Sequence, residues 1–238
     1  MKIGILVTNT DTSTFAQNHP RDGEKFTALV HGIRPQWQCA VYNCVEGRFP
    51  EHLAECDGYI IGGSPASVND ADPWIATLLS LIKKLDETHT PVVGCCFGHQ
   101  AIAKALGGKV EKNPGGWGFG VAQTKVIAPK SWMSPQIAHI SLYAAHTEQV
   151  TTMPPQAEIW GGSDFCPVGG FVIGHHVMTT EYHPEMTKDF FVGLIHAFEK
   201  YVGRNMAQEA LRQSITAAQG PLFAEWMANF FEQSCVHR

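Results

Sequence analysis

The 238 residues predict an α/β fold: a mostly parallel central sheet flanked by helices, with antiparallel additions and a helical C-terminus. Three observations carry this prediction. Short apolar runs alternate with helix-period stretches over the first hundred residues, the alternation that builds a parallel sheet covered on both faces. From about residue 109 to 185 the pattern changes to short strand-like pieces separated by turns, which reads as antiparallel strands added to that sheet. The last fifty or so residues carry apolar stripes at helical spacing.

Taken in order, "MKIGILVTNT" reads as the first strand, and Phe26, Leu29, Val30 and Ile33 recur at helical spacing after the turn-like "RDGE". "GYIIGG" (58–63) is a buried strand ending in a glycine turn. Asp72 can cap the next helix with Pro73 at its first position, and Ile75, Leu78, Leu79, Ile82 and Leu85 form its apolar stripe. "PVVGC" is a strand, and "FGHQAIAKAL" is a helix stopped by Gly107 and Gly108. "VAQTKVI", "ISLYAAH", "GGFVIG" and "HVMTTEYH" are the later strand-like pieces. Phe190, Phe191, Leu194, Ile195 and Phe198 mark one C-terminal stripe, and Phe223, Trp226, Met227, Phe230 and Phe231 another; packing surfaces are the simplest reading of both.

Composition narrows the function. With 44% hydrophobic and 16% charged residues and a net charge of -5, the chain has a globular balance and no basic footprint for nucleic acid. Its opening apolar run is too short for a signal-peptide core or a membrane span. Seven cysteines, odd in number and without CxxC spacing, predict mostly buried thiols in a reducing, cytoplasmic setting. No repeat, low-complexity segment or linker divides the chain.

Chemistry concentrates in "PVVGCCFGHQ" (91–100). A nucleophile on a sharp strand-to-helix turn needs small residues two positions before and two after it, because backbone approaches closely there. Centring on Cys96 gives Gly94 and Gly98; centring on Cys95 gives Val93 and Phe97, which would crowd the turn. Cys96 is therefore the candidate nucleophile, and Cys95 the last buried residue of the strand. The pattern alone leaves Cys96 evenly balanced between nucleophile and buried inert thiol. At a helix start the dipole favours a thiolate, and the Phe97 N–H can point at an oxyanion.

Such a thiol needs a histidine base and a group to hold it. Among twelve histidines, His183 in "TTEYHPEMT" is best placed, with Pro184 stopping its strand and Glu185 two residues on. "IIGGSPASV" offers a second oxyanion donor where Gly62 and Gly63 let backbone approach a ligand; no GK[ST] follows, so it is not a phosphate loop. "GGWGFG" misses the dinucleotide spacing, and His175 and His176 read as a hairpin turn, with no metal site expected.

"GCCFGHQ", "HTEQV" and "YHPE", in this order, resemble a class I glutamine amidotransferase domain of flavodoxin-like fold. "NPGGWGFG" and "SDFCPVGGF" make the likeness closest to the stand-alone, GMP-synthase-like branch. The resemblance covers residues 1–200, leaving 201–238 as a helical extension packed on the same domain. It implies a catalytic triad of Cys96, His183 and Glu185 that hydrolyses the glutamine side-chain amide through a γ-glutamyl thioester, without a cofactor. It further implies oxyanion N–H groups from Gly63 and Phe97, and substrate binding by Gln100 and by His146, Thr147 and Glu148. His99 is then a structural hydrogen-bonding residue of the elbow.

The implied partners are glutamine or another γ-glutamyl compound, and a separate synthase subunit that takes the ammonia. The apolar C-terminal helices offer a surface for that subunit or for a homodimer. Two departures stand out: Glu181 occupies a position where the family often has glutamine, and no serine precedes His146. A γ-glutamyl peptide hydrolase and a non-catalytic binding module are the alternatives. A cysteine form of the α/β-hydrolases is disfavoured, because there the acid precedes the histidine and here Glu185 follows His183.

Overall fold

The computed structural model describes residues 1–216 and 218–236. Its first half runs β1 (Lys2–Val7), α1 (Thr14–Gln17), α2 (Asp22–Ile33), β2 (Gln38–Asn43), β3 (Gly58–Ile61), α3 (Pro73–Glu87), β4 (Val92–Cys95) and α4 (Phe97–Ala105). Then come β5 (Lys109–Lys112), β6 (Gly118–Val126), β7 (His139–His146), β8 (Glu148–Thr152), β9 (Glu158–Gly162), β10 (Gly170–Ile173) and β11 (Val177–Thr180). Helices α5 (Lys188–Val202), α6 (Arg204–Gln213) and α7 (Gly220–Val236) follow.

Nine strands form one sheet in the order β2-β1-β3-β4-β11-β10-β9-β6-β7. From β2 to β11 neighbours are parallel, and from β11 to β7 they are antiparallel. The parallel side matches its sequence pattern: β3 and β4 are continuous apolar runs buried on both faces. Helices α2 and α7 cover one face, where Phe26, Val30, Phe223, Trp226, Phe230 and Phe231 meet Ile3, Ile5 and Ile60. Helices α3 and α4 cover the other, where Leu78, Ile82 and Ile102 meet Leu6, Ile61 and Val92. The second C-terminal stripe is core: Trp226 is 0% and Phe231 1% exposed. Burying each such ring stabilises the fold by about 1.5–3 kcal/mol.

Several elements escape the sequence pattern. Strand β2 is a half-buried edge without clean alternation. β5 and β8 pair only with each other, and each contributes little to the core, Val110 from one and Gln149 with Val150 from the other. Nor does the strand through "HVMTTEYH" run unbroken to His183: β11 stops at Thr180, and His183 rejoins the sheet through a single bridge to Tyr143 of β7. The expected hairpin around His175 and His176 joins β10 to β11.

Candidate active site

The carboxyl ends of β3, β4 and β11 converge, and the site is built where they meet. Strand β4 ends at Cys95, and α4 begins at Phe97, so Cys96 alone carries the reversal. Its backbone sits at φ 50°, ψ −109°, a conformation that costs a non-glycine residue about 1–3 kcal/mol. The neighbours hold it there. Cys96 N–H donates to Thr180 O at 2.9 Å, and Gly98 N–H donates to Gly62 O at 3.0 Å. A Cβ at Gly98 would lie 2.3 Å from Ile61 O, and one at Gly94 would lie 2.7 Å from the Gly98 carbonyl. Both glycines of the motif are thus demanded by backbone contact.

The loop after β3 is pinned from below, where the Thr8 hydroxyl lies 3.0 Å from both Gly62 O and Gly63 O. Gly62 O and Gly63 N–H belong to one trans peptide and point to opposite sides. With the carbonyl held by Thr8 and Gly98, the Gly63 N–H faces away from them. Neither it nor the Phe97 N–H hydrogen-bonds within the described residues. Gly63 is also beside the elbow: its Cβ position is 3.7 Å from Cys96 Cβ and 2.8 Å from His183 Cε1.

His183 comes from the opposite side. Its N–H donates to Tyr143 O at 2.9 Å, and its Nδ1 lies 2.8 Å from Glu185 Oε1. Both side chains are buried. Burial opposes a charge on the ring, but the negative partners Cys96 and Glu185 outweigh it and hold His183 well above the ordinary histidine range. For Glu185, burial likewise acts against the charge and is outweighed by His183 and then Lys25, leaving the carboxyl below its ordinary range. The outer nitrogen, Nε2, is buried with no other partner, and the Cys96 thiol acts on the ring both through charge and as a side-chain hydrogen-bonding neighbour. Cys95, by contrast, is wholly buried, which pushes its thiol well above the ordinary range and makes it inert.

The remaining expected residues form a buried polar nest one helical turn below Cys96. Gln100 Nε2 donates to Glu181 Oε1 at 2.8 Å and to Glu148 O at 3.0 Å. His146 Nδ1 also lies 3.0 Å from Glu148 O, and burial pushes that ring down to about 4. Thr147 O accepts the Asn113 N–H, and the Glu148 carboxylate accepts the Ser67 hydroxyl at 2.7 Å. The carbonyls of Thr147 and Glu148 are therefore already engaged inside the chain. His99 bonds Thr179 at 2.9 Å, the structural role expected of it.

Cys96, His183, Glu185 and Gly63 open onto a cleft of about 1090 Å³. One wall is apolar, with Phe15, Trp117, Met186 and Phe190; the other is polar, with residues of α2 and the loop before it. The sequence reading did not anticipate this wall. "RDGE", read as a turn, begins α2, and its Asp22 pairs with Lys25 at 2.5 Å while Lys25 Nζ sits 4.0 Å over the Phe190 ring. Helical spacing of Asp22 and Lys25 was the available signal.

Residues 26–191 match the sequence model of the family described as glutamine amidotransferase class-I. The chain belongs to that family. Among curated relatives of this family member, γ-glutamyl peptidase 2 of Arabidopsis thaliana is 32% identical over 171 residues, covering 69% of this chain and 68% of that protein. A glutamine amidotransferase-like protein of Penicillium rubens is 26% identical over 217 residues, covering 89% of each. Among solved structures, a glutamine amidotransferase from Thermotoga maritima aligns with a TM-score of 0.75 at 15% identity, covering 100% of this chain and 98% of that one. At that identity the likeness shows the amidotransferase fold alone.

Proposed function

We propose that the protein hydrolyses γ-glutamyl amides through a thioester on Cys96. The observation that carries this reading is the elbow thiol facing a histidine whose far nitrogen is held by a buried carboxylate, His183 Nδ1 to Glu185 Oε1 at 2.8 Å. The Cys96 thiolate adds to the γ-carbonyl carbon, and the Gly63 and Phe97 N–H groups stabilise the resulting oxyanion. The imidazolium of His183 gives its proton to the departing amine as the C–N bond breaks. Water then attacks the thioester carbon while His183 takes its proton, the C–S bond breaks, and glutamate and thiolate are released. Glu185 keeps the ring oriented and stabilises its charged form.

Glutamine is the smallest substrate of this class, with ammonia as the leaving amine for a separate synthase subunit. A second reading, hydrolysis of γ-glutamyl peptides, is favoured by the size of the cleft: about 1090 Å³ beside Cys96 and His183 is far more room than ammonia needs. The γ-glutamyl peptidases among the relatives support it. Glutamate release from glutamine and from a γ-glutamyl dipeptide, measured for the protein and for Cys96→Ala and Cys95→Ala, tests both. Cys96→Ala is expected to lose at least ~10³-fold in kcat/KM, and Cys95→Ala less than about threefold. Equal loss in both variants, or activity surviving Cys96→Ala, would sink the assignment; the preferred substrate selects the reading.

A further inference from the structure

We propose that Glu181 is a positioning residue: a buried carboxylic acid that donates its proton to His99, and through this neutral pair fixes which end of the Gln100 amide meets the substrate. The Thr179 hydroxyl donates to Phe171 O at 3.0 Å and accepts the Phe171 N–H at 3.0 Å. Its single hydrogen is committed, so at its 2.9 Å contact with His99 Nδ1 the ring must be the donor. Burial pushes His99 down to about 3, which leaves the ring neutral and its Nε2 an acceptor only.

That Nε2 faces Glu181 Oε2 at 3.5 Å, neither atom makes a hydrogen bond among the described residues, and the Val168 backbone is the ring's other polar neighbour. Both residues are 0% exposed. Two sets of lone pairs facing each other away from water are repulsive, and one proton on Oε2 turns the contact into a donor–acceptor pair. The surroundings favour that proton. Glu181 is faced by Cys96 at the elbow, His99 and Gln100 of α4, His146 of β7, Glu148 of β8, Cys166 before β10, and His183 beyond its own strand. Burial first and the charge of Cys96 second hold its carboxyl well above the ordinary range, against the weaker pull of Gln100 and His183.

As a neutral acid, Glu181 keeps a carbonyl oxygen for Gln100. Both neighbours of the Gln100 amide nitrogen, Glu181 Oε1 and Glu148 O, are then acceptors, so the NH₂ faces inward and Gln100 Oε1 is left without an internal donor. That acceptor, on a residue only 4% exposed, fits a cationic donor, the α-ammonium of a γ-glutamyl compound; this ligand assignment rests on the hydrolase reading. Glutamine at position 181 would present the same pattern, an NH₂ toward His99 and a carbonyl toward Gln100.

The test compares glutamine with glutaramate, which lacks the α-amino group. Glu181→Leu is expected to raise KM for glutamine about tenfold with a smaller change in kcat, to leave KM for glutaramate nearly unmoved, and to be rescued by Glu181→Gln. Equal KM increases for both compounds would reduce Glu181 to packing, and a Glu181→Gln variant as impaired as Glu181→Leu would mean that an ionised carboxylate is required. An infrared difference spectrum of the protein against Glu181→Gln at neutral pH reads the proton without turnover. A carboxylic-acid C=O band is expected, and a carboxylate band overturns the proposal. If the acid band is present and the protein turns over neither compound, the hydrolase reading and the ligand assignment fall together while the protonated pair stands.

Discussion

The two walls of the site are held by different physics. On the parallel side, β3, β4 and α4 place Cys96 by backbone alone: Gly98 N–H on Gly62 O, Cys96 N–H on Thr180 O, and two glycines packed against carbonyl groups. On the antiparallel side, His183 stands outside any regular strand and is placed by one bridge to Tyr143 and by its pair with Glu185. Close backbone packing tolerates no added atom, whereas a polar pair tolerates substitution in shape but not in charge. Damage to the first wall should therefore appear as lost folding, and damage to the second as altered chemistry in a folded protein.

Gly98→Ala probes the first wall hardest. Its methyl would lie 2.3 Å from Ile61 O and 2.9 Å from Ile61 Cβ, so a loss of at least ~3 kcal/mol in unfolding free energy is expected from denaturant titration. A stable Gly98→Ala protein would mean that the elbow can relax, and the contrast between the walls would weaken.

Glu185→Gln probes the second wall. The fold should survive, while kcat/KM falls by roughly 10²-fold or more because the imidazolium loses its counter-charge. The pH dependence carries a sign. The folded Glu185 carboxyl is held below its unfolded value, so its contribution to stability is present above the ordinary carboxylate range and is lost as pH falls through the folded value. Tm measured against pH should show that acid-side loss, and Glu185→Gln should flatten it.

Glu181→Gln gives the smallest and most discriminating effect. Here the folded carboxyl is held above its unfolded value, so the folded chain keeps a proton that the unfolded chain releases. Stability then falls as pH rises from the ordinary carboxylate range toward the folded value, by at most about 1.4 kcal/mol per pH unit. The Gln variant removes this slope and should be the more stable protein at neutral pH. A variant less stable than the parent at every pH would place the polar nest under the same close-packing rule as the elbow.

Much of the elbow was legible in the chain. Gly94, Cys96 and Gly98 state their geometry in sequence because the contacts that require small residues are local to a strand–turn–helix unit. The apolar runs of β3 and β4 were equally plain, since strands covered on both faces need no alternation. Glu185 was legible as a partner of His183 because it lies only two residues on, although a turn at Pro184 and Glu185, not the extended chain expected, returns the carboxylate to the ring. Strands β5 and β8 were not, because each contributes little to the core and their pairing spans some forty residues. The cleft wall was missed for a similar reason: Asp22 and Lys25 look like an ordinary helix-surface pair until Phe190, far along the chain, closes over them.

By itself, then, the sequence determined the α/β order, the turn that carries Cys96, and the membership of His183 and Glu185 in one short segment, all features set by neighbours a few residues apart. Only the tertiary structure decided that Thr179, His99, Glu181 and Gln100 share one proton inventory. Tautomers and buried protons depend on which acceptors face which across the sheet, and no local pattern records that.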